Sequence, residues 1–174
     1  VLSMTSNAIQ SAIDNFDIDV GITYLDNEPL ERVIAKPLYN ETYVLLTRLD
    51  SKLAKQDQIG WREAAELNIC LLTPDMQNRR ILDGIFRSVG KAPVPVMETN
   101  SIFNLCTHAN VPGWVSIVPS QLPRFFGIPS GLKALRLVDP AASRSVGLIL
   151  ADRQPQSPLA QSLMAISEPI PMDD

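Results

Sequence analysis

The order of apolar segments predicts an α/β protein made of two lobes, on three observations. Short strand-like runs alternate with helical stripes. Two stretches, Leu30–Leu49 and the pair Leu132–Val138 with Ser145–Ala151, are long enough to leave one sheet and enter another. A last helical stripe, Ser157–Ile166, lies beyond the second crossing. Alternation argues for parallel sheets, and two crossings put the middle of the chain in one lobe and its two ends in the other.

Taken in order, Val1–Met4 is a short apolar strand, and Thr5, Ser6 and Asn7 are helix-starting residues before the stripe Ala8, Ile9, Ala12, Ile13 and Phe16. Ile18–Tyr24 alternates with a period near two and ends in the turn Asp26–Pro29; a right-handed crossover makes this strand parallel to the first. The run Leu30–Leu49, rich in Val, Ile, Leu, Tyr and Thr, is broken only at Pro37. Trp61–Leu67 reads as a short helix, Asn68–Leu72 as a buried strand, and Thr73–Asp75 as a turn. Ile81, Leu82, Ile85, Phe86 and Val89 share one face of the following helix, which Gly90 ends. Pro93–Glu98 is expected as a strand, Thr99–Ala109 as a helix, Val115–Val118 as a strand and Phe126–Gly131 as a loop. The closing helix aligns Leu159, Leu163 and Ile166.

With 174 residues, 45% hydrophobic and 20% charged, the chain can bury a substantial core and is too apolar to be disordered. No apolar stretch approaches the roughly 20 residues of a spanning helix. Nineteen acidic against fifteen basic side chains give a net charge of −4, which disfavours a nucleic-acid surface on this chain. Cys70 and Cys106 each lie among apolar neighbours and read as buried free thiols, which suits a reducing cytoplasm. The chain begins at Val1, already inside an apolar run and with no signal segment, so it is expected to be a fragment.

The inventory argues against an enzyme. One histidine, His108, and two distant cysteines cannot assemble a zinc cluster or a histidine-based triad, and no glycine-rich phosphate loop is present. What recurs instead is a polar cluster between a strand end and a helix start: Thr5-Ser6-Asn7, Thr73 through Asn78 (with Met76 and Gln77), and Thr99-Asn100-Ser101. In open α/β sheets ligands bind beyond the carboxyl ends of the strands, where helix N–H groups attract anions. The competing reading is that each Ser, Thr or Asn caps its own helix. Arg79 and Arg80 stand where they could pair with an anion or face solvent, and Tyr24 ends a strand aimed at the expected cleft. Trp61 reads as core; Trp114 either walls the cleft or fills the core.

The sequence resembles the effector-binding domain of LysR-type transcriptional regulators over nearly its whole length. The resemblance is carried by Ile18-Asp-Val-Gly-Ile22, by Leu30 through Leu46, and by Asn78-Arg79 through Phe86 with Gly90 and Pro93. Glu98 through Ser101, Gly113 through Pro119, Leu135–Pro140 and the strand from Val146 complete it. It implies a type 2 periplasmic-binding-protein-like fold: two Rossmann-like lobes joined by two crossing strands, lobe one from 1–42 and 142–174, lobe two from 43–141. It implies a small effector, often a carboxylate, bound between the lobes with Ser6, Thr73 through Asn78 (Met76 and Gln77 included) and Asn100-Ser101 at matching positions, to which the residue pattern adds Thr5 and Tyr24, and with no further cofactor. A winged helix-turn-helix, a linker helix and the first strand and helix of lobe one are expected before Val1, so the pocket carried by this chain is expected to be incomplete. Val111-Pro-Gly-Trp114 departs from the family's glycine-rich pattern.

The resemblance further implies a cytoplasmic regulator without membrane contact. Its domains pair as dimers through the helices Asn7–Phe16 and Gln77–Val89 and assemble into a full-length tetramer that meets promoter DNA and RNA polymerase. Met76 through Arg79 and His108 through Pro119 resemble a subgroup linked to formate dehydrogenase genes, which leans toward small-acid metabolism. The alternative function on this fold is a solute-binding receptor of a transport system.

Overall fold

The computed structural model describes residues 1–26 and 28–170. Asn27 of the expected turn and residues 171–174 of the expected first lobe lie outside the described residues. In chain order, helix α1 (Ser6–Asp14) leads to strands β1 (Gly21–Tyr24), β2 (Val33–Glu41) and β3 (Tyr43–Arg48). Next come β4 (Gln58–Gly60), α2 (Trp61–Ala64), β5 (Asn68–Leu72), α3 (Gln77–Ser88), β6 (Met97–Thr99) and α4 (Ile102–His108). The chain continues through β7 (Trp114–Pro119), α5 (Gln121–Phe126), β8 (Leu132–Val138), β9 (Arg144–Ala151) and α6 (Pro158–Ile166). The elements form two compact units, Val1–Glu41 with Arg144–Asp174, and Thr42–Ser143.

Unit one holds a three-stranded sheet in the order β1-β9-β2, antiparallel throughout. The expected parallel pairing of Val1–Met4 with the next strand does not form. Val1–Met4 lies outside any strand, and the neighbour of β1 is β9, which arrives from the far end of the chain and runs the opposite way. Pro37 bends β2 without ending it: with no N–H to give the ladder, it sits at a register shift between Pro37 and Tyr39. α1 buries Ala12 and Ile13, but the stripe stops there. Phe16 lies past the helix end at φ 64°, exposed, with the Arg153 guanidinium 4.1 Å above its ring. The expected apolar face of α6 is also corrected: Leu159 and Ile166 are exposed, and the helix meets unit one through Ala160 and through Lys36, whose Nζ donates to the Met164 and Ser167 carbonyls.

Unit two is a six-stranded sheet in the order β4-β8-β3-β7-β5-β6. β7, β5 and β6 run parallel as the alternation predicts, whereas β3 is antiparallel to both β7 and β8. Along β3, Tyr43 and Leu45 alternate with Val44 and Leu46, so its two faces feed two cores. On one side Trp61 is fully buried, edge-on to Tyr43 and Phe86, with its Nε1–H donating to the Pro140 carbonyl at 3.0 Å. On the other, Leu46, Cys70, Leu72, Leu105, Cys106 and Val118 pack together. Both thiols are free, and burial raises each above the ordinary thiol range. Gly90, at φ 73°, closes α3 while Lys91 N–H donates back to the Phe86 carbonyl.

Three boundaries in unit two differ from expectation, each for a backbone reason. Pro93 and Pro95 give no N–H to a ladder, so the strand shrinks to Met97–Thr99. Thr99 belongs to that ladder, opposite Leu72, and α4 therefore starts only at Ile102. α5 was not anticipated, because Pro123 inside Gln121–Phe126 disguised a helix short enough to tolerate it in its first turn. Among the described residues, no helix is long and apolar enough to cross a membrane.

Candidate functional site

The candidate residues of unit two gather at one edge of its sheet. β5 and β6 are parallel with Leu72 beside Thr99, so their carboxyl ends lie together, and Thr73 N–H donates to the Thr99 carbonyl at 3.0 Å. Two helices start from this edge. After β5, Thr73–Met76 turns into α3, with Met76 N–H donating to the Thr73 carbonyl. After β6, Asn100 and Ser101 lead into α4.

The two helix starts are built differently. Met76 occupies the cap position of α3, and its thioether makes no capping hydrogen bond to the first turn. No acidic residue lies in that turn. Gln77 and Asn78, expected in a loop, are instead the first residues of the helix and are buried. Thr73 Oγ1 is buried beside them with no hydrogen-bond partner. At α4, Ser101 is the cap residue but makes no side-chain cap bond; its own N–H donates to Thr99 Oγ1 at 3.2 Å, and Asn104 Nδ2 donates to the same oxygen at 3.3 Å. Asn100 is exposed.

The two arginines do not have the role the sequence left open to them. Arg79 is buried, with Nε on Asp83 at 2.9 Å, one guanidinium nitrogen on the Leu72 carbonyl at 2.7 Å, and an ion pair to Glu98. Its positive charge is answered by two carboxylates and does not await an anion. Arg80 is turned onto the loop, donating to the Pro74 and Asp75 carbonyls. Apart from the arginines, this edge presents the start of α3 and the unpartnered Thr73 hydroxyl, which suit a small polar or anionic group.

In unit one the expected residues divide. Thr5 caps α1, its hydroxyl accepting from Ala8 N–H at 3.3 Å, so for Thr5 the capping reading holds. Ser6 is the half-buried first residue of that helix. Tyr24 ends β1 opposite Val146, near Tyr39. Burial first, then Glu41 and Tyr24, push the Tyr39 hydroxyl up to about 12. Glu41, buried at the end of β2 and paired in register with Arg144, was missed as a candidate, and Thr99, singled out in the third polar cluster but not as a ligand contact, organises the start of α4. A lone acid in the strand-like run Tyr39–Leu46 was a visible signal for Glu41; for Thr99 the signal was its place in the polar cluster, and its role followed only once its strand register was known. His108 stacks on Trp114 with ring centroids 6.2 Å apart, and its Nδ1 bonds the Asn104 carbonyl. Among the described residues, no three His, Cys, Asp or Glu side chains are grouped to hold a metal.

A two-unit α/β chain crossing twice between its sheets, with polar helix starts beyond parallel strand ends, defines a type 2 periplasmic-binding-protein-like domain. The family model for the LysR substrate binding domain matches residues 1–168, and the chain belongs to that family, which is part of transcriptional regulators and not of enzymes. Solved structures agree on the fold. The effector-binding domain of QuiR, in complex with shikimate, is 20% identical with a TM-score of 0.79, covering 94% of this chain and 77% of its own. The reduced regulatory domain of OxyR from Pseudomonas aeruginosa is 17% identical with a TM-score of 0.77, covering 94% and 78%. HinK, a LysR family transcriptional regulator from Pseudomonas aeruginosa, is 14% identical with a TM-score of 0.79, covering 95% of this chain and 57% of its own. The chain thus spans little more than half of HinK.

Proposed function

We propose that this chain is the effector-sensing part of a cytoplasmic LysR-type regulator and that it binds a small carboxylate at the carboxyl ends of β5 and β6. The observation that carries the reading is the start of α3. Its cap residue Met76 makes no capping bond, its first turn has no acid, and the buried Thr73 hydroxyl beside it has no partner. A carboxylate there would accept from backbone N–H groups, from the Thr73 hydroxyl and from the Gln77 or Asn78 amide, with the helix dipole favouring its charge. Met76 would lie against its carbon skeleton, and Asn100 and Ser101 would meet it from the neighbouring helix start. Thr5, Ser6 and Tyr24 form a second candidate group on unit one.

The QuiR domain holds shikimate, a hydroxylated carboxylate, which supports this ligand class. Family membership favours a regulator over a transport receptor. In the full-length protein the reading implies a DNA-binding part elsewhere in the chain, pairing with further copies through α1 and α3, and an effect of the carboxylate on transcription.

The test is thermal denaturation of the protein with a panel of small carboxylates, shikimate and formate among them. A ligand at about a hundred times its Kd stabilises by about 2.7 kcal/mol. The expected result is such a shift with at least one acid, lost in Asn78→Ala. If no acid shifts the transition, or if Asn78→Ala binds as tightly as the wild type, the site is wrong.

A further inference from the structure

Unit two contains a cavity of about 120 Å³ away from the helix starts, bounded by β3, α4 and α5 and open to solvent on one side. Buried Leu46 and Cys106 form its inner wall, Leu122 and Pro123 its side, and exposed Phe103 and Phe126 its outer wall, their rings edge to face at 6.1 Å. No lining side chain is charged, and none is an amide or a hydroxyl.

A lining of this composition offers water inside the cavity almost nothing to bond, where an ordered water needs two to four polar partners. Apolar cavities of roughly 150 Å³ stay dry and accept benzene, so this one is of the size for a single ring. Its two outer phenylalanines also leave a large aromatic surface in water, which a ring seated beneath them would cover edge to face. The Cys106 thiol adds no charge, because burial holds it protonated.

We propose that this cavity is a second ligand site, taking a small neutral apolar molecule of single-ring size. The site is independent of the carboxylate reading, because it needs no anion and shares none of its contacts. It has one link to that edge of the sheet: Phe103 and Cys106 belong to α4, whose start is organised by Thr99 and Asn104. An occupant would therefore press on the helix that also bears Ser101.

Toluene is the probe, followed by saturation-transfer NMR on the protein. Saturable binding is expected, weaker by about tenfold both in Cys106→Met, which fills the inner wall, and in Phe126→Ala, which removes half the outer wall. Benzoate, the same ring carrying a charge, should fail to displace it, because the cavity has nothing to pair with a carboxylate. Because Phe126 is exposed, Phe126→Ala leaves the fold intact and decides the matter even if Cys106→Met fails to fold. Absence of saturable binding, unchanged affinity in Phe126→Ala, or displacement by benzoate would overturn the proposal.

Discussion

Arg79 on α3 and Glu98 on β6 form an ion pair that ties the start of a helix to the strand that follows it in the chain. Asp83 and the Leu72 carbonyl complete the arginine's partners, so one guanidinium joins α3, β5 and β6. The pair is asymmetric, with 10% of the Arg79 side chain exposed against 41% for Glu98. That asymmetry fixes the expected cost of each deletion. Arg79→Met strips two carboxylates and a buried carbonyl of their donor and should cost about 3 kcal/mol. Glu98→Gln leaves Asp83 and the carbonyl in place and should cost under about 1 kcal/mol. Urea denaturation of the two variants checks the order; equal costs would mean that Arg79 contributes only through its exposed partner.

Gly147 in β9 has no room for a side chain. A Cβ there would lie 2.3 Å from the Lys36 carbonyl oxygen and 2.7 Å from Leu25 Cδ1. The leucine can swing away, but the carbonyl is backbone of the paired strand β2, beside the register shift at Pro37. Gly147→Ala should therefore lose about 2–3 kcal/mol. At Gly21 the closest obstacle is the Ile9 Cγ2 methyl, at 2.4 Å; χ1 of a β-branched residue in a helix is stiff, so relief comes from a small shift of α1, which unlike the β2 carbonyl is not held in the sheet ladder. Gly21→Ala should cost about 1 kcal/mol. Paired denaturation midpoints test the contrast, which fails if Gly21→Ala proves the more damaging.

Most of unit two was legible because its signals are local. The unbroken apolar run Ile69–Leu72 lies in β5, and the stripe from Ile81 to Phe86 is the buried face of α3. Where the sequence misled, the deciding partner was remote. Arg79 reads as a free cation beside a helix start until β5 and β6 pair and bring Glu98 to it. Val1–Met4 reads as a strand from composition alone, yet a strand needs a ladder, and β1, at the edge of its sheet, pairs with β9 and not with Val1–Met4. The candidate site divides in the same way. Thr5 proved to be a cap because its acceptor geometry is local, whereas the open start of α3 emerged only because Met76, a residue with no capping oxygen, fell on the cap position.

The Tyr39 hydroxyl is pushed up to about 12 by burial, by Glu41 and by Tyr24. A raised value means that the unfolded chain releases this proton first. The contribution to stability is then fully present below about pH 10, the unfolded value, and is lost as pH rises through about 12. Two units correspond to a ceiling of about 2.7 kcal/mol, and solvent screening of a half-buried group reduces this to about 1 kcal/mol. NMR titration of the three tyrosine Cζ resonances, with Tyr39→Phe for assignment, should show one signal moving well above the usual range. In Glu41→Gln that signal should move back toward 10. A Tyr39 midpoint near 10 in the wild type would contradict the account.

Thr73 separates stability from ligand binding in a single residue. Its buried hydroxyl has no hydrogen-bond partner, so the ligand-free fold bears the cost of desolvating a group that gains nothing in return. Valine has nearly the same shape and lacks that cost, so Thr73→Val should stabilise the ligand-free protein by about 1 kcal/mol. If a carboxylate docks at the start of α3, the same substitution removes a donor and should weaken binding by about tenfold. Calorimetry supplies both quantities on one sample series: a rise in Tm without ligand and a fall in affinity with it. A purely structural threonine would give loss of stability with no change in affinity, and that result would remove Thr73 from the site.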